Sequence, residues 1–241
     1  MYGDLDRPPL RAGALSHALE PDGWRVQVVE QATSTQDLAR GGTAGLVVVA
    51  EEQTDGRGRL DRSWVSPPRA GLTFSAVVQP EQVDGWVPLV AGLAVANAVR
   101  EQCELDAVLK WPNDVLVGEK KVCGLLAEVS GSTVVVGIGL NVTTHDDELP
   151  HDQATSLQLA GATVTDRETL LKAVLRELSR VIALKPVDAY RARCSTLGRQ
   201  VQLALPDGSS VTGQAETIDE QGRLVVDGVA YAAADVVHLR G

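Results

Sequence analysis

Aromatic side chains are few, 3% of the chain, and cysteine is rarer still. Val, Leu and Ala must therefore fill the core, within an overall hydrophobic content of 44%. The three cysteines, Cys103, Cys123 and Cys194, are odd in number, far apart and form no C-x-x-C pair. They argue against a disulfide framework or a zinc site and suit the reducing cytosol, so a cytoplasmic location is expected. No apolar run reaches the roughly 18 residues of a membrane span, and no charged-then-apolar leader opens the chain, so neither membrane insertion nor secretion is expected. Basic residues are also in deficit: 22 Lys and Arg against 32 Asp and Glu give a formal charge of −10. That balance argues against non-specific binding to nucleic acid or an anionic membrane, and any local cluster of arginines stands out against it.

Such a cluster lies within residues 50–74. An apolar run from Leu46 to Ala50 feeds a segment carrying Gly56, Arg57, Gly58, Arg59 and Arg62, and a second apolar run, Leu72 to Val78, leaves it. The expectation is a loop between two strands, in which Gly56 and Gly58 permit positive φ, backbone N–H groups close on an anion and the arginines supply charge; in an acidic protein that is a place for phosphate. A solvated turn has the same composition. Arg-Gly units also serve binders of single-stranded nucleic acid, but those repeat the unit and interleave aromatics, whereas this one passes once. Gly56-x-Gly58 begins a dinucleotide fingerprint too, yet Asp61 stands where the last glycine belongs and a strand, not a helix, is expected to follow.

A second stretch, Lys110-Trp111-Pro112-Asn113-Asp114, precedes a hairpin pattern around Gly118-Glu119-Lys120 and then Lys121-Val122-Cys123-Gly124-Leu125. Alone it is packing plus a turn. Together with Ser34-Thr35-Gln36, the run from Gly56 to Trp64, and Gly137-Ile138-Gly139-Leu140-Asn141, in that order, it resembles the bacterial biotin protein ligases, whose usual pieces are Ser-Thr-Asn, Gly-Arg-Gly-Arg-x-Gly-Arg-x-Trp, Lys-Trp-Pro-Asn-Asp and Gly-x-Gly-x-Asn. The resemblance covers nearly the whole chain. It departs at Gln36, where the family has Asn, and at Asp61, where the family has Gly. Asp61, between Arg59 and Arg62, is expected either to pair with an arginine or to repel a phosphate.

The resemblance implies an enzyme that activates biotin with ATP, Mg²⁺ accompanying the nucleotide, and passes it to a lysine of a biotin carboxyl carrier domain. It implies biotin contacts at Ser34, Thr35, Gln36, Gln53, Arg57, Gly58, Arg59, Lys110, Gly124 and Leu125. It implies nucleotide contacts at Arg57, Arg59, Arg62, Trp64, Asn113, Lys121 and Asn141. Lys110, with Arg57, is expected to carry the chemistry, because a carboxylate and an α-phosphate repel one another and need a shared cation. No metal-ligand cluster is evident, and Asp114 is the one candidate for Mg²⁺. Lipoate ligases share fold and chemistry, but their Arg-Arg-x-x-Gly-Gly-Gly run does not occur here; a lipoate-type ligase and a non-catalytic biotin sensor are the alternatives.

Periodicity gives a helix within Leu10 to Leu19, a strand at Val26 to Val29, a helix start at Thr33 to Ala39 with Ser34 or Thr35 as its hydroxyl cap, and a helix from Val87 to Cys103. Strands follow at Val108 to Trp111, Val115 to Val117, Lys121 to Val129 and Val134 to Val142, then helices at Thr165 to Leu184 and Val187 to Cys194. The run before the first strand is too short for a helix-turn-helix domain, so no transcriptional role is expected. From about Leu197 short strands, Gln200 to Leu205, Val211 to Ile218, Arg223 to Val226 and Val229 to Val237, alternate with Gly-containing turns. The pattern is that of an α+β fold, a mixed sheet covered by helices over residues 1–195, with a small all-β appendage over 196–241 that the resemblance implies is a barrel like that of SH3 domains. At roughly 45 residues that appendage is marginal alone and must dock. The oligomeric state is not legible.

Overall fold

The structure, a computed structural model, describes residues 7–59 and 62–239. The first part of the chain runs α1 (Ala12–Leu19), β1 (Arg25–Ala32), α2 (Thr35–Ala39), β2 (Leu46–Arg57), β3 (Ser63–Ser66), β4 (Gly71–Val78) and α3 (Trp86–Cys103). It continues through β5 (Ala107–Lys110), β6 (Asp114–Val117), β7 (Lys120–Ser130), β8 (Thr133–Asn141), α4 (Arg167–Leu184) and α5 (Val187–Arg193). The sheet order is β1-β2-β4-β8-β7-β6-β5, with β3 paired to β2. Among the described strands of this sheet, only β1 and β2 pair in parallel. It is the mixed, helix-covered sheet expected from the sequence.

Strand alternation decides what each face of this sheet is for. On β8, Val134, Val136, Ile138 and Leu140 point into the main core, and Gly137, Gly139 and Asn141 lie on the other face. On β4, Leu72, Phe74, Ala76 and Val78 go to the core, leaving Thr73 and Ser75 opposite. The core face is covered by α3 and α4. Helix α3 is buried almost all round because it lies between sheet and α4, which is why its Ala-rich sequence shows so little amphipathic contrast. Helix α4 starts on an Asp166 carboxylate accepting from Thr169 N at 2.8 Å and ends at a left-handed Lys185 before Pro186.

One ion pair is buried in this framework. Glu51 and Arg167 meet at 2.6 Å with side chains only 3% and 5% exposed. The remaining valences are satisfied: Glu51 also accepts from Leu10 N, and Arg167 donates to the carbonyls of Pro8 and Gly71. The pair thus fastens the N-terminal segment to β2 and α4, and loss of either partner leaves an uncompensated buried charge.

Strands β9 (Gln200–Ala204), β10 (Ser210–Ile218), β11 (Leu224–Val226), β12 (Val229–Tyr231) and β13 (Asp235–His238) form a second, antiparallel sheet ordered β12-β11-β10-β9-β13. The expected single strand from Val229 to Val237 is in fact two. The chain breaks at 232–234, buries Ala234, and crosses to pair β13 with β9 on the far edge. A register shift at Ala215/Thr217 divides β10 between its two partners, but among the described residues no pairing between the edge strands β12 and β13 closes a ring. The small sheet docks as expected. Trp86 Nε1 donates to the carbonyls of Asp219 and Glu220, and Trp111 Nε1 to that of Gly222, at 3.0–3.1 Å. Gly85 and Gly222 make the approach possible: a Cβ on Gly85 would lie 2.3 Å from Gln221 O.

Candidate active site

Register places the site. Across the helix-free part of the sheet, Thr73 on β4 pairs with Gly139, Gly139 with Gly124, Gly124 with Asp114, and Asp114 with Lys110. These four strand gaps span about 19 Å at roughly 4.8 Å each. The next row holds Ser75, Gly137 and Leu126. Over them lies a cavity of about 580 Å³, and every residue anticipated for biotin or nucleotide, from Ser34 through Asn141, lines it. Arg57 and Lys110, the two expected to share the chemistry, share this one cavity.

One end of the trough is neutral and hydrogen-bonded. Gln53 Oε1 accepts from Thr35 N at 2.9 Å and from Thr35 Oγ1 at 3.3 Å. Thr35 Oγ1 lies 2.9 Å from Ser75 Oγ, which donates to Gln36 Oε1 at 3.0 Å, and Gln36 Nε2 donates to Val135 O at 3.0 Å. The expected hydroxyl cap is not formed: Ser34 occupies the cap position of α2, but its side chain makes no capping bond. The site takes the hydroxyls instead, with Ser34 and Thr35 both buried on the cavity wall. Thr73 Oγ1 is buried without a hydrogen-bond partner among the described residues, so it is available to a polar ligand head.

The spacing Gly-x-Gly-x-Asn now has a physical cause. A Cβ on Gly137 would stand 2.6 Å from Gln36 Oε1, and one on Gly139 would stand 2.3 Å from Trp64 Cε2. The two glycines floor the trough so that an amide and an indole can lie on it. Gly124 does the same on β7, with Trp64 Cζ3 2.9 Å from its notional Cβ. Trp64 is thereby fixed mid-trough, with Lys121 Nζ 5.6 Å from its ring centroid. Asn141, two residues on, donates to Thr155 O at 3.0 Å.

The arginine segment departs from expectation. It is not a loop between β2 and β4: β2 runs on to Arg57 and folds back through β3, so the segment is a bent hairpin. Neither Gly56 nor Gly58 adopts positive φ. Gly56 is required by closeness, since a Cβ would lie 2.4 Å from Trp64 O and 1.7 Å from Gln53 Nε2, itself bonded to Trp64 O at 3.1 Å. Gly58 N is spent inside the hairpin, donating to Arg62 O at 2.6 Å, so this N–H does not close on an anion. Asp61 lies outside the described residues.

Each basic group has a definite setting. Arg57 reaches the carboxylates of Asp37 at 2.7 Å and Glu128 at 3.3 Å, and Arg40 touches the same two at 3.2 and 3.4 Å. Arg59 donates to Asn113 Oδ1 at 3.3 Å, and its burial pulls the guanidinium pKa downward against the carboxylates of Asp235 and Asp114. Arg62 pairs with Asp235 of β13. Lys121 Nζ lies 2.6 Å from Asp114 Oδ1, an ion pair whose angle is not that of a hydrogen bond. Asp114 thus answers a lysine, and no group of three or more potential metal-ligating side chains occurs among the described residues. The Lys110 ammonium makes no hydrogen bond or ion pair with any described residue; burial draws its pKa down, Asp114 opposes, and Lys121 adds to the fall. Leu125, expected as a biotin contact, has both backbone groups engaged by Asn113: its N–H donates to Asn113 O at 2.9 Å and its carbonyl accepts from Asn113 Nδ2 at 3.0 Å.

Sequence reasoning missed several residues of the wall. Thr73 and Ser75 were legible as the polar alternates of an otherwise apolar strand. Glu148 and His151, from the irregular segment after β8, and Asp235 to Val237, from the small sheet, carried no local signal. Glu148 is held by Arg7 at 2.6 Å, which keeps its carboxyl below the usual range.

A trough with a neutral, hydrogen-bonding head and a cationic far end defines a protein that holds an uncharged polar group and an anionic group end to end. Residues 25–144 match the biotin/lipoate A/B protein ligase family and residues 196–239 the biotin protein ligase C-terminal domain. The chain is 42% identical to a biotin--[acetyl-CoA-carboxylase] ligase of Mycobacterium tuberculosis, over 98% of both chains. It superimposes with a TM-score of 0.77 on the biotin protein ligase of Aquifex aeolicus in complex with biotin and ATP, at 31% identity over 90% of this chain and 99% of that one. The biotin protein ligase of Leishmania major in complex with biotinyl-5-AMP gives a TM-score of 0.60 at 26% identity, over 90% of this chain and 98% of that one. The chain belongs to the biotin protein ligases of the biotin/lipoate A/B protein ligase family.

Proposed function

We propose that the chain joins biotin to a carrier-protein lysine in two ATP-driven steps. In the first, an oxygen of the biotin carboxylate attacks the α-phosphorus of ATP, the bond to the β-phosphate bridging oxygen breaks, and pyrophosphate leaves. In the second, the neutral ε-amine of the acceptor lysine attacks the carbonyl of biotinoyl-5'-AMP, AMP leaves with the bonding pair, and an amide remains after loss of a proton. The observation that carries this reading is the 19 Å row from Thr73 to about Lys110, neutral at one end and cationic at the other.

Thr35, Gln36, Gln53, Ser34, Ser75 and Thr73 take the polar ureido head in this reading, and Gly137 and Gly139 leave the depth for it. Lys110 faces both repelling anions, because it is the cavity cation without a partner among the described residues. Arg57, Arg59, Arg62 and Lys121 hold phosphate oxygens; Trp64, Asn113 and Asn141 line the nucleotide side. Mg²⁺ is commonly held by one or two carboxylates plus substrate phosphates, which fits the wall carboxylate Asp114 better than a preformed cage does.

The acceptor is the carboxyl carrier domain of a biotin-dependent carboxylase. A cytoplasmic setting without nucleic acid agrees with the charge of −10 and with the absence, among the described residues, of a helix long and apolar enough to cross a membrane. The change at residue 195 from helix-covered sheet to short antiparallel strands supports a division into 1–195 and 196–241. Transfer of labelled biotin to a carrier fragment in the presence of ATP tests the function. Label on the acceptor lysine is expected; label from lipoate alone supports a lipoate ligase, and none with either supports a sensor.

A further inference from the structure

Asp235 belongs to no motif of the catalytic part of the chain, yet it sits on the cavity wall, carried there by the first residue of β13. It is the carboxylate that the small sheet contributes to the cavity. Its side chain, 28% exposed, pairs with Arg62 across the junction of the two sheets. It also acts electrostatically on Arg59 and Lys110, opposing the fall in pKa that burial imposes on each. Three cations of the phosphate end, contributed by the hairpin and by the end of β5, therefore converge on one anion supplied by another part of the fold. Beyond its electrostatic part, nothing in the packing demands a carboxylate here. The burial that fixes β13 falls on Val236, while Asp235 points to the trough. An acid among cations that are expected to meet phosphate is opposed to nucleotide binding, since like charges in a partly desolvated site repel.

We propose that Asp235 is a resident counter-ion of the phosphate end: its carboxylate competes with the triphosphate for Arg62 and so sets how tightly the nucleotide is held. The inference rests on the ligase reading for the identity of the ligand. It makes the small sheet a direct determinant of nucleotide affinity. Asp235 stabilises the docked hairpin in the absence of nucleotide, and Arg62 changes partner when phosphate arrives.

The test is calorimetric titration of α,β-methylene-ATP into the intact protein at saturating biotin. Asp235→Asn is expected to bind the analogue three- to tenfold more tightly than the wild type, with biotin affinity unmoved, and Asp235→Glu, which keeps the charge, to bind it like the wild type. Asp207→Asn removes the same charge from an exposed turn of the small sheet and is expected to leave the affinity unaltered, which separates a local from a long-range effect. Without nucleotide, Asp235→Asn is expected to melt below the wild type, and the difference is expected to close at saturating analogue. Unchanged or weaker binding by Asp235→Asn, or equal gains in Asp207→Asn, overturns the proposal. Should the wild type bind no nucleotide, the proposal and the ligase reading both fail; binding without biotin-dependent pyrophosphate release from ATP overturns the ligase reading alone.

Discussion

At the scale of single residues, the site holds side chains whose hydrogen bonds are made within the protein and others, Thr73 and Lys110, whose polar ends have no hydrogen-bond partner among the described residues. The isolation of Lys110 among cations and carboxylates gives two expectations. Lys110→Ala should slow biotin-dependent pyrophosphate release by about 10²- to 10³-fold, the scale of removing one preorganised group that faces developing charge. Because burial lowers the Lys110 pKa, the ammonium is lost on the alkaline side earlier than in a free lysine, whose pKa is about 10.4. The alkaline limb of kcat/KM should therefore fall below that value, and a limb at or above it contradicts the role. Ser75, fully buried, bonds both Thr35 and Gln36. Ser75→Ala leaves those partners short and should cost about 1–3 kcal/mol in denaturant unfolding while raising the KM for biotin. What was legible at this scale was residue type against spacing: the two stretches that carry Lys110 and Arg57 converge on one cavity. Partners supplied from elsewhere in the sequence were not legible. Arg57 is drawn to Asp37 and Glu128, and Leu125 turns its backbone to Asn113, because those contacts depend on strand order, which no local pattern encodes.

At the scale of elements, the hairpin of β2 and β3 is the part that sequence reasoning described least well. Two glycines among arginines suggest a loop, but β2 carries its ladder through Gly56 to Arg57, because Gln53 and Trp64 O close on the space that the missing Cβ leaves. Glycine here serves closeness, not left-handed backbone. Gly56→Ala should accordingly destabilise the protein by about 1–3 kcal/mol through overpacking and shift Trp64 from its floor, read as a lower unfolding free energy and altered indole fluorescence. An unchanged unfolding free energy would count against the hairpin's packing as described. The same logic makes Gly137 and Gly139 a floor. Alternation, visible in the sequence as apolar residues between glycines, told that β8 has two unlike faces; that Gln36 and Trp64 lie on the second face required the fold.

At the scale of the whole molecule, the small sheet is tied to the motif that carries Lys110. Trp111 donates from its indole to Gly222 O, and its backbone N–H donates to Thr196 Oγ1, which in turn lies 3.1 Å from His238 Nε2. Burial, with Lys110 nearby, pushes His238 down to about 4 from 6.5. Between those two values the unfolded chain binds more protons at this position than the folded one, so stability should fall as pH drops from 6.5 towards 4. His238→Gln should flatten that part of the pH profile in thermal melts, and an unchanged slope would show that the ring is already free to take a proton in the folded state. A docked appendage was legible from its length and turn chemistry. Its edge strand, which lends Asp235 to the cavity, was not, because the crossing at 232–234 looks like continuous strand in sequence.

The central claim is that one trough holds biotin's carboxylate and the α-phosphate of ATP against Lys110. Exchange of labelled pyrophosphate into ATP reports that step without any carrier protein. The expected result is exchange that requires biotin, is not supported by lipoate, and is lost in Lys110→Ala. Exchange driven by lipoate and not biotin, or biotin-dependent exchange that survives in Lys110→Ala, would contradict it.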